Sequence, residues 1–332
     1  MTQDMECSAQ SVIQSTAMDA LNGKIACVQA GYYDDRFIQA FSSSMVPQHS
    51  ILMKRGYTAR VYAFEQAVRR FIATFPDSQI ISLGAGFDTL AFRLAEANAP
   101  MRRYVEVDLP STVNTKTALM ARRRQFVGVV DPSVYEIVSV DLLDPDAPAL
   151  LAATVDPALP TLFIAECLFA YLPIDATDAL LSGLAERFTG TRALMTYDPV
   201  NPLDRYGEAM LANLRRFKNI HMPGVVGAPT IEALTARYTR LGFPSVGRTM
   251  LNVYDEVIPE AERRRLAHLE FLDEYEEWNL LLGHYCITLS GVDAEGDSAA
   301  IHGLLEGEWL VPEKAAPERR RVTPALFDAI RE

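Results

Sequence analysis

Residues 79–108 (QIISLGAGFDTLAFRLAEANAPMRRYVEVD) constrain the fold of this chain more than any other stretch. The run Ile80-Ile81-Ser82-Leu83 has the short, β-branched character of a buried parallel strand. Gly84 and Gly86 then let the backbone turn sharply and approach a ligand that a Cβ would push away. A helical segment follows. The next strand ends on Asp108, 24 residues beyond Gly84, where a carboxylate can accept both ribose hydroxyls. Such a unit is half of a nucleotide-binding α/β sheet. The dinucleotide fingerprint requires a third glycine at position 89, where this chain has Thr89, and no Lys-Ser/Thr pair follows to build a phosphate-binding loop. A glycine turn without a phosphate grip, paired with a ribose carboxylate, points to S-adenosylmethionine (SAM). These residues alone leave NAD open.

Three further apolar runs extend the sheet. Residues 135–141 end on Asp141 and are followed by Leu142, residues 161–166 end on Glu166, and residues 192–198 end on Asp198. Ligands of open α/β sheets bind beyond the carboxyl ends of the strands, so acidic groups at successive ends face one crevice. Asp141 can accept an adenine amino group while Leu142 packs on the ring. The competing reading makes each strand-end aspartate a helix cap; it suits one such residue better than a set of them. Residues 201–220 read as a helix with Met210, Leu211 and Leu214 on one face, which is a substrate-recognition insertion or simply core. A loop over 223–227 and a helix over 230–241, closed by Gly242, follow. Residues 245–254 and 283–290 read as closing strands, the last antiparallel. The expected fold is therefore α/β and Rossmann-like, with a mostly parallel seven-stranded sheet.

Composition narrows the function classes. A chain of 332 residues with 49% apolar content can bury one large core, and it has no apolar run of about 18 residues that would span a membrane. Residues 1–20 lack the basic-then-apolar pattern of a secretory signal. Cys7, Cys27, Cys167 and Cys286 form no CxxC pair and suit a reducing cytoplasm, with Cys167 and Cys286 read as small hydrophobes in apolar strands. The histidines show no HxH or HxxxH spacing, so no protein-held metal is expected. A net charge of −12 argues against a nucleic-acid surface. The basic runs Arg122-Arg123-Arg124, Arg263-Arg264-Arg265 and Arg319-Arg320-Arg321 read as solvated helix faces or helix-end charges.

A set of segments carries a family resemblance. In order they are Gly31-Tyr32 with Asp34, Arg55-Gly56-Tyr57-Thr58-Ala59-Arg60, Leu83-Gly84-Ala85-Gly86-Phe87-Asp88-Thr89 and Tyr104-Val105-Glu106-Val107-Asp108. Leu162-Phe163-Ile164-Ala165-Glu166-Cys167, Asn213-Leu214-Arg215-Arg216, Glu270-Phe271-Leu272-Asp273-Glu274 and His284-Tyr285-Cys286 complete it. The chain resembles, over residues 24–290, the leucine carboxyl methyltransferases, which methylate the C-terminal leucine of protein phosphatase 2A catalytic subunits. No kelch-type repeat is visible, unlike tRNA-modifying relatives with an appended propeller.

The resemblance implies a SAM-dependent methyltransferase whose partner is the phosphatase tail, acting as a cytoplasmic monomer without nucleic acid or membrane. It implies one domain over 1–290, with a helical N-terminal lid over about 1–75, a recognition insertion over about 199–230, and a 291–332 extension of unassigned role. Lys24 and Arg60 match the residues that hold the methionine carboxylate of SAM, Arg as a bidentate clamp and Lys as a point charge. The expected cofactor set is Lys24, Arg60, Gly84, Gly86, Asp108, Asp141, Leu142 and Glu166, with Glu166 on the adenosine side. Arg55 is a second candidate for a pocket cation. Tyr171 is expected to position the methyl group or to support the rim, and Arg205 or Arg215 to meet the substrate carboxylate. Two rivals remain: a small-molecule or tRNA carboxyl/O-methyltransferase, and a catalytically silent phosphatase adaptor, against which the intact cofactor set argues.

Overall fold

The structure, a computed structural model, describes residues 2–42 and 47–306. Helices α1 (Thr2–Gln29) and α2 (Ile51–Thr74) precede the sheet. The chain then alternates through β1 (Gln79–Leu83), α3 (Leu90–Glu96), β2 (Arg103–Asp108), α4 (Pro110–Ala121), β3 (Tyr135–Ser139), α5 (Ala147–Ala152), β4 (Thr161–Glu166), α6 (Ile174–Arg187) and β5 (Arg192–Pro199). Next come α7 (Arg205–Lys218), α8 (Pro223–Gly227), α9 (Ile231–Arg240), β6 (Ser245–Thr249) and α10 (Met250–Asn252). The last elements are α11 (Glu260–Leu269), α12 (Tyr275–Gly283), β7 (Tyr285–Val292) and α13 (Ala299–Glu306). The seven-stranded sheet has the order β3-β2-β1-β4-β5-β7-β6. Its first five strands are parallel, and β7 is antiparallel to both neighbours. This is the mostly parallel α/β sheet with an antiparallel closing strand that the residue pattern predicts.

Strand alternation divides the core into two layers. Ile80, Tyr104, Leu162, Ile164 and Met195 point to one face, where they meet Ala67, Phe71 and Ile72 of α2 and Leu90 and Leu94 of α3. Ile81, Val105, Phe163, Ala165 and Leu194 point to the other face, against Leu151 of α5, Leu181 and Leu184 of α6, and Leu234 and Tyr238 of α9. With both faces covered, every residue of β1 is buried, which is why that strand reads as a continuous apolar run rather than an alternating one.

Several segments depart from the sequence-based expectation. The strand expected over 245–254 stops at Thr249, whose side chain caps Asn252 N at 3.1 Å and starts α10. A π turn, Val253–Val257, follows, and Met250, Val253, Tyr254 and Val257 enter the core at helical spacing. The loop expected over 223–227 is the short helix α8, with Pro223 at the first helical position, where proline lacks only an unused donor. Cys167 lies beyond β4 rather than within a strand and has a left-handed backbone, φ 57°. The expected boundary at 290 falls inside β7. Beyond it, α13 packs on α2 and β7 and buries Ile301 and Leu304. Arg319-Arg320-Arg321 and the tail prolines at 312, 317 and 324 lie outside the described residues, as does the Cys7 side chain. No helix among the described residues is long and apolar enough to cross a membrane.

Candidate functional site

A cavity of about 640 Å³ opens over the carboxyl ends of β1, β2, β3 and β4, the position at which open α/β sheets bind ligands. Residues 16–24 of α1 and 53–60 of α2 contribute to its wall from above, so both helices lie over the strand ends. Leu214 and Lys218 of α7, then Ile220 and Met222, wall it on another side. The size falls within the range of small-molecule and cofactor sites.

The glycine turn is built as the sequence requires. Gly84 has φ 59°, and a Cβ there would lie 2.7 Å from the Leu168 side chain. Gly86 has φ 53° and donates its N–H to Asp108 Oδ2 at 2.7 Å. Asp108 Oδ1 accepts the Leu109 N–H at 2.8 Å. A carboxylate has about four lone-pair sites, so Asp108 keeps acceptor capacity facing the cavity after fixing the loop. Thr89, where a third glycine would stand, is buried and donates its hydroxyl to Asp35, whose other oxygen accepts from Phe37 N at 2.8 Å. That contact uses position 89 to fasten α3 to the segment after α1.

Two cations and two carboxylates occupy the floor on the other side of the glycine turn. Lys24 Nζ lies 2.8 Å from Glu166 Oε2 and 3.0 Å from Asp88 Oδ1. Arg60 Nε pairs with Glu166 Oε1, and its guanidinium lies 4.4 Å from the centre of the Tyr197 ring. Burial works against every one of these charges. Arg60 and Lys24 nonetheless outweigh it and hold the Glu166 carboxyl below its usual range, and Lys24 with Arg93 does the same for Asp88. Burial lowers Lys24 and Arg60 too, yet Asp88 and Glu166 raise the first and Glu166 the second. All four groups are charged at neutral pH. Lys24 retains a free ammonium proton and Arg60 retains guanidinium donors for a further acceptor.

Of the sequence-predicted residues, Lys24, Arg60, Gly84, Gly86, Asp108, Asp141, Leu142, Glu166 and Tyr171 all line this one cavity. Asp141 lies two residues past β3, in a turn where its Oδ1 accepts the Leu143 N–H at 2.9 Å, beside buried Leu142. The sequence-based expectation puts Glu166 on the adenosine side. The strand order puts it across the glycine turn from Asp108 and Asp141, and it pairs with Lys24 and Arg60. It therefore belongs to the end of the cavity that holds the cations. Arg205 opens α7, is exposed and is not among the cavity-lining residues, and the same holds for Arg215. Arg55 is buried away from the cavity, donating to the Glu270 carbonyl at 2.6 Å.

Other motif residues serve the frame. Glu270 accepts from Lys54 Nζ at 2.5 Å and from the Tyr32 hydroxyl at 2.7 Å, joining two of the matched segments to the residue just before a third. His284 Nε2 meets Asp204 at 2.8 Å, and Asp204 caps Gly207 N at 2.8 Å, so the junction between α12 and β7 holds the start of α7. The basic run on α11 is paired with acids: Arg264 with Glu260, Arg265 with Glu262 at 2.6 Å, and Arg263 with Asp255 at 3.6 Å.

Sequence reasoning missed Asp88, Tyr197, Lys218 and Met222 as lining residues. Asp88 sits inside the glycine motif and was visible there. Lys218 carried no signal, since it is one more cation at a helix end.

Three comparisons bear on this geometry. The family model for leucine carboxyl methyltransferase matches residues 12–185. A leucine carboxyl methyltransferase 1 homolog from Arabidopsis thaliana is 32% identical over 307 residues, covering 87% of this chain and 92% of the relative. A human tRNA wybutosine-synthesizing protein 4 is also 32% identical over 302 residues, covering 83% of this chain but 43% of that protein. Among solved structures, a candidate methyltransferase from Thermobifida fusca superposes with a TM-score of 0.51 at 16% identity, over 77% of this chain and 93% of that one.

Proposed function

The chain belongs to the leucine carboxyl methyltransferase family, and from that premise we propose that it methylates the C-terminal leucine carboxylate of a protein phosphatase 2A catalytic subunit, using SAM. The observation that carries the reading is the buried Lys24–Arg60–Glu166–Asp88 group beside the glycine turn. Charges of both signs at one end of the cavity suit the amino and carboxylate groups of a methionine moiety. Asp108, with spare acceptors, suits the ribose, and Asp141 with Leu142 suits the adenine. The two left-handed glycines leave backbone exposed where a Cβ would intrude.

Bound SAM supplies a methyl group on a positively charged sulfur. The protein's task is then chiefly placement. A C-terminal α-carboxyl has a pKa near 3.5, so the nucleophilic oxygen is already ionised at neutral pH and needs no base. Tyr171, Leu168, Ile220 and Met222 form an apolar wall beside the charged group, suited to a leucine side chain and to excluding water. Burial, then Cys167, push the Tyr171 phenol far up, so it acts as a neutral donor and a positioning group. Lys218, the cation on the insertion side of the cavity, takes the place expected of Arg205 in meeting the substrate carboxylate.

The 32% identity to a tRNA wybutosine-synthesizing protein supports a second reading, carboxyl methylation of a different acceptor in the same SAM site. Transfer of labelled methyl from SAM to purified phosphatase catalytic subunit separates the two. Label on the intact subunit, and none after removal of the terminal leucine, is the expected result. Absence of transfer to the intact subunit, alongside normal binding of S-adenosylhomocysteine, would favour the second reading.

A further inference from the structure

Behind Tyr171, away from the main cavity, lies a second and much smaller space of about 10 Å³. Its wall includes Asp198, Tyr238, Arg237, Phe169, Ala170 and Gly224. Asp198 stands near the end of β5 opposite Cys286 of β7 and is 3% exposed. Its Oδ1 accepts the Ala170 N–H at 3.1 Å, one residue before Tyr171. Among the described residues, no group meets its Oδ2 or the Tyr238 hydroxyl in good hydrogen-bond geometry, although both are buried. Thr196 acts on both groups from hydrogen-bonding range, and its hydroxyl also meets that of Thr288 at 2.9 Å, which leaves Asp198 and Tyr238 sharing one small hydroxyl. Arg237 donates its Nε to Asp178 at 2.6 Å.

Asp198 and Tyr238, each with a buried polar atom short of partners, line one space of this size. Buried polar groups are almost always paired, and a space of about 10–15 Å³ with at least two polar neighbours holds one water. We propose that this cavity binds one water bridging Asp198 Oδ2 and the Tyr238 hydroxyl, making Asp198 the positioning residue for the 3-10 turn Phe169–Tyr171. The water donates a proton to Oδ2 and either accepts from or donates to the tyrosine. Asp198 is thereby held in the rotamer whose other oxygen ties down Ala170. The turn is packed from its far side as well: a Cβ on Gly224 of α8 would lie 2.0 Å from the Phe169 carbonyl oxygen. Tyr171 reaches the main cavity from a turn fixed at its preceding residue and at its back. Only the link to turnover rests on the methyltransferase reading above.

Hydrogen exchange on the full chain tests the turn directly. Asp198→Ala removes the acceptor and should speed exchange at the Ala170 amide roughly tenfold or more, the scale of one buried hydrogen bond. Asp198→Asn keeps a carbonyl oxygen and should stay near wild type, while Tyr238→Phe, which removes one contact of the water, should show a smaller acceleration. With labelled SAM and phosphatase catalytic subunit, Asp198→Ala should lose kcat while its S-adenosylhomocysteine Kd stays near wild type, and Asp198→Asn should restore kcat. Unchanged Ala170 exchange in both Asp198→Ala and Tyr238→Phe would overturn the proposal. So would cofactor affinity falling in step with exchange, or a high-resolution crystal structure with no density between Asp198 and Tyr238. If wild-type protein transfers no methyl to the phosphatase, the functional reading fails, and the exchange data still decide the positioning role.

Discussion

Removing the Arg60 guanidinium would strand Glu166, a carboxylate only 16% exposed that now has two cations, with Lys24 alone. Breaking one partner of a buried pair typically costs about 3–5 kcal/mol, so Arg60→Ala should lower the urea midpoint of the unliganded protein as well as weaken cofactor binding. Asp108 stands differently, being half-buried and bonded to two backbone N–H groups. Asp108→Ala should weaken S-adenosylhomocysteine binding in calorimetry by a few kcal/mol, since hydrogen bonds to a charged group are worth about 1.5–3 kcal/mol each. Its unliganded melt should shift less than that of Arg60→Ala. Asp198 supplies a pH signature. Burial pushes its carboxyl from 3.8 up to about 6, against the opposing pull of Thr196, Ala170, Arg237 and Arg60, with Tyr238 and Cys286 also facing it. The folded state therefore holds this proton more tightly than the unfolded state does. The resulting stabilisation is full below about pH 4 and is lost as the pH rises through about 6. Asp198→Asn cannot ionise, so its melting temperature should gain on wild type across that window and hold the gain at pH 8.

The parallel strands were legible because each is a short run with a glycine or an acid at or close to its end, and β4 runs from Thr161 to Glu166 as read. The region 245–254 was not, because Met250, Val253 and Tyr254 are as apolar as a strand. What makes them helical is a single capping contact from Thr249 and the packing of α10 on α12. Strand-end carboxylates were legible by position, but the partners of Glu166 were not. Arg60 and Lys24 lie 106 and 142 residues away in the chain, and no local pattern encodes such a contact. Helix α7 offers a test at this scale, because Asp204 caps it and is gripped by His284 at the end of α12. Asp204→Ala should cost about 1 kcal/mol as a lost cap. Its mark on the reaction should be a raised KM for the protein substrate with little change in cofactor Kd, since α7 gives the cavity only Leu214 and Lys218.

The whole unit does not end where the family resemblance fades. Ile301 is fully buried and Leu304 nearly so, both within the layer built by α2 and β7. Ile301→Ala should therefore destabilise the protein by about 2–5 kcal/mol in urea titration, as for any core aliphatic truncation. The exposed Val226→Ala should stay within about 0.5 kcal/mol of wild type. At the other end of the chain, α1 is joined to α7 by Lys218 and Asp19, 2.5 Å apart, both lining the cavity and both about half exposed. An ion pair of that exposure contributes only about 0–1 kcal/mol, and 1 M salt shrinks the screening length to about 3 Å. A link this weak governs kinetics rather than equilibrium. In stopped-flow exchange, S-adenosylhomocysteine should leave and re-enter faster as ionic strength rises, at nearly constant affinity, and Lys218→Ala should abolish that salt dependence.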